Sequence, residues 1–261
     1  MSGIHTGSPW PLGSSITTRG VNFVLAAPGA DRIELLLYGN GNDRSPERVI
    51  ELDSRRHRSG DYWHVEVEGL GEGCCYGYRV FGPLAAGEHG FRPSKVLLDP
   101  AARAISGWDV YDRVLATGPS PNAHACLKGV VCERDLFDFQ AHPRPRNSWQ
   151  RTVIYELHVG GFTRREDAGV AVEHRGTYLG LIEKLPYLTE LGITAVELLP
   201  VFCFDPADAP PGRDNVWGYS PLSWFTPHHG YCSSGDPLQA RHEVRQLVAA
   251  CHDAGIEVLL D

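Results

Sequence analysis

Arg151-Thr-Val-Ile-Tyr-Glu-Leu-His-Val159, Gly192-Ile-Thr-Ala-Val-Glu-Leu-Leu-Pro200 and Gly255-Ile-Glu-Val-Leu-Leu-Asp261 decide the fold of this chain. Each is a short apolar run rich in β-branched or aromatic residues. Strands buried on both faces read this way. The segments between them have the period of helices. Tyr178, Leu181, Ile182, Leu185 and Leu188 recur at steps of three and four. Pro186 divides that helix into two short pieces and starts the second, and Gly192 is placed as the residue just past its end. A second helix opens at Asp236-Pro237, with Gln239 three residues beyond the cap. Its buried stripe is Val244, Leu247, Val248 and Cys251, and Gly255 ends it. Strands alternating with helices imply right-handed crossovers in a parallel sheet.

Residues 1–150 read differently. Gly20–Ala26, Arg32–Tyr38, Arg48–Leu52, Tyr62–Glu68 and Tyr76–Phe81 are candidate strands separated by Gly-rich turns. In Tyr62–Glu68, Trp63, Val65 and Val67 share one face, and His64, Glu66 and Glu68 the other. That is the period of two of a half-buried strand, and it makes Trp63 a core residue. Five or six such strands predict an antiparallel, immunoglobulin-like β-sandwich. Residues 108–150 carry several prolines and few apolar runs. They are expected to form an irregular connection over the next domain, anchored by Val130, Val131, Leu136, Phe137 and Phe139. The domains are placed at 1–145 and 146–261, the boundary falling within 140–151.

Composition narrows the class of function. The chain has 261 residues, 42% of them hydrophobic, and a formal charge of −8. An acidic balance argues against a general nucleic-acid partner. No apolar run of 18 residues is present, so no membrane partner is expected, and the N-terminus lacks the pattern of a secretory signal. Seven cysteines occur without a C-x-x-C pair, which reads as reduced thiols in a cytoplasmic protein. His228-His229 has no third ligand at a supporting spacing, so neither a metal nor another cofactor is expected.

Five phrases have a familiar wording: Val153-Ile-Tyr-Glu-Leu-His-Val-Gly-Gly-Phe-Thr163, His174-Arg-Gly-Thr-Tyr178, Thr194-Ala-Val-Glu-Leu-Leu-Pro-Val201, Asn215-Val-Trp-Gly-Tyr-Ser-Pro221 and Ala254-Gly-Ile-Glu-Val-Leu-Leu-Asp261. Together, in this order, they resemble the isoamylase and glycogen-debranching branch of the α-amylase superfamily, glycoside hydrolase family 13. Phe91-Arg-Pro-Ser-Lys-Val-Leu-Leu-Asp-Pro100 resembles the segment leaving the sandwich in those enzymes. It departs from the pattern where Arg-Phe-Asn-Pro is replaced by Gly90-Phe-Arg-Pro93, and where the aromatic after Asp-Pro is Ala101. The resemblance implies a carbohydrate-binding-module-like sandwich followed by the first three β/α units of a (β/α)8 barrel, a truncated TIM barrel. It implies retaining hydrolysis of α-1,6 branch linkages, with glycogen, amylopectin and branched maltooligosaccharides as the α-glucan partners. It fits a cytoplasmic setting, or a plastid in a photosynthetic eukaryote. The runner-up functions are a glycogen-branching enzyme, a maltooligosyl-trehalose hydrolase, and a non-catalytic glucan-binding piece.

Residues 200–235 form a long loop after the second strand, crowded with Phe202, Phe204, Trp217, Tyr219, Trp224, Phe225, His228, His229 and Tyr231. In a (β/α)8 barrel that loop belongs to the face that carries active sites. By resemblance Tyr219 stacks under the glucose ring at the bond that is cleaved. Trp217 and Asn215 complete the substrate-binding set, chiefly by shaping the pocket. Glu156 and Glu197 are a tempting catalytic pair. The resemblance, however, places the catalytic Asp, Glu and second Asp after strands four, five and seven. No residue here is therefore assigned a catalytic role, and Glu156 and Glu197 are expected to be buried, paired structural carboxylates. Three strands cannot close an eight-stranded barrel. The chain is thus expected to be an N-terminal fragment, inactive alone, with an apolar edge at Ile256, Val258, Leu259 and Leu260.

Overall fold

The computed structural model describes residues 3–83, 90–133 and 137–261. Its internal contacts divide the chain into two units, residues 1–134 and 135–261.

The first unit is a sandwich of two five-stranded sheets. Its strands in chain order are β1 (Ile4–His5), β2 (Gly13–Ile16), β3 (Gly20–Ala26), β4 (Arg32–Tyr38), β5 (Arg48–Leu52), β6 (Arg58–Ser59), β7 (Tyr62–Glu68), β8 (Cys75–Phe81), β9 (Ile105–Ser106) and β10 (Lys128–Val130). One sheet runs β1-β7-β3-β2 with β6 beside β7, and the other β5-β4-β8-β10-β9, all antiparallel. The inward residues of the long strands make one core: Val21, Phe23, Leu25, Ile33, Leu35, Leu37, Trp63, Val65, Val67, Tyr76 and Tyr78. Trp63 is fully buried, as the alternation around it predicts.

Two expectations fail here. The polar face of β7 is not solvated: His64 and Glu66 are buried too. The N-terminal segment covers them, with His64 Nδ1 2.8 Å from the Thr6 carbonyl and the Thr17 hydroxyl donating to Glu66 at 2.6 Å. Nor are residues 108–133 a connection laid on the following domain. Lys128–Val130 pairs with β8 and β9, and Val130 and Val131 are buried in the sandwich, Val131 within its main core. A short helix, α1 (Arg113–Thr117), precedes this strand, capped by the Asp112 side chain. Leu136 lies outside the described residues.

The second unit holds a parallel sheet of β11 (Ile154–Leu157), β12 (Ala195–Leu198) and β15 (Glu257–Leu260), in that order. Between β11 and β12 come α2 (Val159–Phe162), α3 (Tyr178–Glu183) and α4 (Leu185–Glu190). Thr177 caps α3, Pro186 sits in the first turn of α4, and Gly192 follows its end at φ 83°. Between β12 and β15 lie the strands β13 (Phe202–Phe204) and β14 (Pro221–Pro227) and the helix α5 (Pro237–Asp253). Asp236 caps α5 through the Leu238 amide with Pro237 following, as read from sequence. The reciprocal Gln239 contact does not form; the Ser234 hydroxyl takes the Asp236 amide instead.

Leu157, Val159, Tyr178, Leu181, Leu188, Val196, Leu198, Leu247, Cys251 and Ile256 form the core between sheet and helices. Val244 and Val248 of the predicted stripe are only half-buried. The segment 142–147 is tied to this unit. His142 pairs with Asp253 at 2.8 Å, Arg144 with Glu257 at 3.2 Å, and the Asn147 amide donates to the Thr194 and Gly255 carbonyls at 3.1 Å each. The other face of the sheet carries Ile154, Glu156, Glu197, Leu259 and Asp261, because side chains alternate along strands.

Candidate functional site

The carboxyl ends of the three parallel strands carry the candidate site. At the end of β11, His158 caps α2: its Nδ1 accepts the Gly161 amide at 2.8 Å. An amide can only donate, so the ring proton sits on Nε2. That nitrogen donates to the Val216 carbonyl at 2.8 Å and lies 3.0 Å from the Tyr231 hydroxyl. His158 thereby ties the end of β11 to the aromatic loop. Tyr231 is itself wedged edge-on against Tyr178, His158 and His228. Between these elements opens a cleft of about 360 Å³, lined by His158, Gly161, Arg164, Leu199, Val216 and Trp217.

The loop after β12 is less irregular than its sequence. Phe202–Phe204 pairs with Pro221–Pro227 in an antiparallel ribbon with two register irregularities. The residues from Asn215 to Ser220 form a tight turn at its side. The Asn215 side-chain oxygen accepts the Gly218 amide at 3.0 Å, while its amide nitrogen is buried without a hydrogen-bond partner. Gly218 has φ 81°, and a Cβ there would lie 2.9 Å from the Phe204 ring. Ser220 is held at φ 123°, an unusual backbone for a residue with a side chain, with its hydroxyl on Asp208 at 2.9 Å. The turn presents two rings to solvent. Trp217 is 63% exposed and Tyr219 52% exposed.

The Tyr219 hydroxyl donates to the carboxylate of Asp261, just past β15. That bond, with a smaller effect of burial and the nearby charges of Asp261, Glu156 and Glu197, pushes the phenol up to about 12. Glu156 and Glu197 are neighbours in strand register. They are not the buried structural pair expected. Glu156 is exposed and Glu197 half-buried. Tyr219 and Trp217 thus stand beside an acidic strand-end surface, and Asn215 holds the turn that carries them.

The fold also brings together residues that sequence spacing keeps apart. His228 and His229 do have a third ligand-type neighbour: the Cys203 sulfur and one nitrogen of each ring lie within 4.8 Å of one another. The antiparallel ribbon brings Cys203 to them, since the His228 amide donates to the Val201 carbonyl at 2.8 Å. Sequence spacing alone hides this, because 24 residues lie between Cys203 and His228.

In the sandwich, a cleft of about 510 Å³ is lined by His5, Trp10, Thr17, Arg19, Asn22 and Glu66 among others. Trp10 is 69% exposed. Some polar groups there satisfy one another: Arg19 pairs with Glu66, and the Asn22 side chain bonds the backbone of Ser8 in both directions, whereas His5 Nε2 has no hydrogen-bond partner.

Comparison with known proteins agrees with this geometry. Residues 11–102 match carbohydrate-binding module 48 (isoamylase N-terminal domain), and residues 146–261 match the alpha amylase catalytic domain. The chain is 40% identical over its whole length to a glycogen debranching enzyme of Dickeya chrysanthemi, covering 39% of that protein. It is 39% identical over 98% of its length to the chloroplastic isoamylase 3 of Oryza sativa subsp. japonica, covering 34% of it. Among solved structures it resembles the pullulanase SAP of Group B Streptococcus, with a TM-score of 0.75 and 24% identity over 99% of this chain and 34% of that one. It also resembles a Bacillus acidopullulyticus pullulanase, with a TM-score of 0.67 and 26% identity over 96% and 29%. These folds and matches define a member of the α-amylase family of glycoside hydrolases: a carbohydrate-binding-module sandwich followed by the opening part of the catalytic barrel domain. Within that family the chain belongs to the isoamylase and glycogen-debranching branch. It spans well under half the length of those curated relatives.

Proposed function

We propose that this chain supplies the N-terminal sandwich and the first three barrel strands of an enzyme that hydrolyses α-1,6 branch linkages of glycogen- or starch-type α-glucans. The observation that carries the reading is the exposed Tyr219 ring at the strand ends, in a chain 40% identical throughout to a glycogen debranching enzyme. Sugars present apolar C–H faces, and an exposed aromatic ring backed by carboxylates suits both the face and the hydroxyl rim of a glucose unit. In this reading Tyr219 stacks on the sugar, Trp217 lengthens the apolar wall, and Asn215 fixes the turn. The cleft beside His158 and Arg164 takes the neighbouring sugar.

The proton donor and nucleophile that retaining hydrolysis requires are not assigned to Glu156 or Glu197. These two stand side by side on adjacent parallel strands, and the family pattern draws its catalytic carboxylates from later strands. The chain alone therefore binds glucan without cleaving it. Residues 146–261 are taken as the barrel portion, and the described residues just before them, whose His142 and Arg144 pair with Asp253 and Glu257, as the lead-in to it. A cytoplasmic or plastid setting goes with glucan as substrate.

Products from amylopectin test the reading. The enzyme carrying this chain should release linear maltooligosaccharides, whereas new branches or free trehalose would point to a branching enzyme or a trehalose-releasing relative. The isolated 261-residue chain should release nothing; hydrolysis by it would overturn the assignment of the catalytic groups.

A second reading has one observation in its favour, the exposed Trp10 over the sandwich cleft: glucan binding by the sandwich itself. Retention on immobilised glycogen that is displaced by maltoheptaose, and lost in Trp10→Ala but not Tyr219→Ala, would favour it.

A further inference from the structure

We propose that Cys203, His228 and His229 form a binding site for a divalent cation of the zinc class, independent of the glucan site. In a tetrahedral zinc centre, bonds of about 2.3 Å to sulfur and about 2.0–2.1 Å to nitrogen set donor–donor separations of about 3.3–3.6 Å. The three donors here already lie within 4.8 Å of one another. His229, the member of the set that is only half-buried, is the side chain with room to move toward the other two.

The site is built before any ion arrives. Cys203 lies on β13, paired with Ser223 of β14, and is fully buried. His228 follows β14 and is 4% exposed. Its ring is stacked flat on Phe204, with centroids 3.8 Å apart and planes 9° apart, and Tyr231 meets it edge-on at 4.7 Å. Two aromatic rings thus fix its orientation, as neighbouring groups do for metal-ligating histidines.

The His228 ring also has an unmet need. Its Nδ1 is buried and has no hydrogen-bond partner, a costly state for a polar atom. A ring nitrogen without a partner is a donor that a cation can take up. Cys203 is a free cysteine. On binding, the cation takes the place of the thiol proton, which leaves to solvent, and a sulfur–metal bond forms with no redox change. The charge of Asp205, buried two residues along, offsets the cation. A thiolate with two imidazoles selects zinc, or cobalt as its probe, over magnesium or calcium, which prefer oxygen ligands. The half-buried His229 leaves room for a water as fourth ligand and marks the way in.

A metal here would tie β13 to the turn that carries Tyr231, and through Tyr231 to His158. It would stiffen the floor of the cleft without touching glucan.

The test is a titration of the metal-stripped chain with cobalt(II), followed by zinc(II). One equivalent of cobalt should give the intense visible bands of four-coordinate cobalt and a thiolate charge-transfer band. Zinc should bleach both and raise the melting temperature. Cys203→Ser should remove the charge-transfer band. His229→Gln, at the half-buried rim where folding is not at stake, should weaken zinc binding by about tenfold or more. If Cys203→Ser does not fold, as far-UV circular dichroism would reveal, His229→Gln decides. No thiolate band in the folded chain, a band that survives Cys203→Ser and so arises from another of the seven cysteines, or unchanged affinity in His229→Gln would overturn the proposal.

Discussion

The phenol of Tyr219 donates a hydrogen bond to the carboxylate of Asp261, joining the exposed aromatic turn to the end of the third parallel strand. The bond favours the protonated phenol, and the pKa of about 12 follows chiefly from it. Asp261→Asn should therefore lower the Tyr219 pKa toward the ordinary phenol value. An alkaline ultraviolet difference titration, with Tyr219→Phe identifying the signal, measures this. A pKa that stays near 12 would contradict the hydrogen bond as its chief cause.

Gly218 answers two demands at once. Its φ of 81° suits glycine, and a Cβ would press to 2.9 Å of the Phe204 ring and 3.1 Å of Pro200. Gly218→Ala should cost about 1–3 kcal/mol. It should also displace Trp217 and Tyr219, which flank it. Urea unfolding followed by tryptophan fluorescence reads the first effect, and glucan affinity the second.

Much of this arrangement was legible beforehand. Trp63 between Val65 and Val67 marked a core strand, because alternation records which face is buried. Asp236-Pro237 marked the start of α5, because capping is a local requirement. The three apolar runs marked the parallel sheet. What stayed hidden depends on distant partners. β9 and β10 are two and three residues long, too short for any period, and exist because β8 offers β10 an edge and β10 offers one to β9. Cys203 meets His228 only through an irregular ribbon. Glu156 is exposed although it sits in an apolar strand, because burial of a sheet face is set by what packs on it and not by the strand itself.

His228 gives the second unit a pH dependence. Its folded pKa lies near 3 and its ordinary value is 6.5, so between these values the unfolded chain binds a proton that the folded chain does not. Stability is unaffected above about pH 6.5. It falls as pH drops below that, by about 1.4 kcal/mol per pH unit, until the folded ring itself titrates. In metal-free buffer, His228→Phe should keep the ring on Phe204 and flatten this slope by about one proton. His57, whose pKa burial also lowers, contributes in the same direction in the sandwich, and the variant leaves that in place.

Glu243 is fully buried on α5 and accepts the Ser233 amide at 3.1 Å, the Ser233 hydroxyl at 2.5 Å and the Cys232 thiol at 3.4 Å. It pins residues 232–233 against the helix. Glu243→Ala should destabilise the second unit by about 3 kcal/mol, since several hydrogen bonds are lost and buried donors are left unpaired. Limited proteolysis should then open the chain between Tyr231 and Asp236. Resistance equal to wild type would show the loop is held by other contacts.

The most direct test of the proposed role is the affinity of the 261-residue chain for maltoheptaose, by titration calorimetry, with and without Tyr219→Ala. Stacking of a glucose ring on Tyr219 predicts measurable binding by the wild-type chain. It also predicts a loss of about 1 kcal/mol or more, roughly fivefold in affinity, in the variant. Equal affinity in the two chains, or no binding by either, would contradict it.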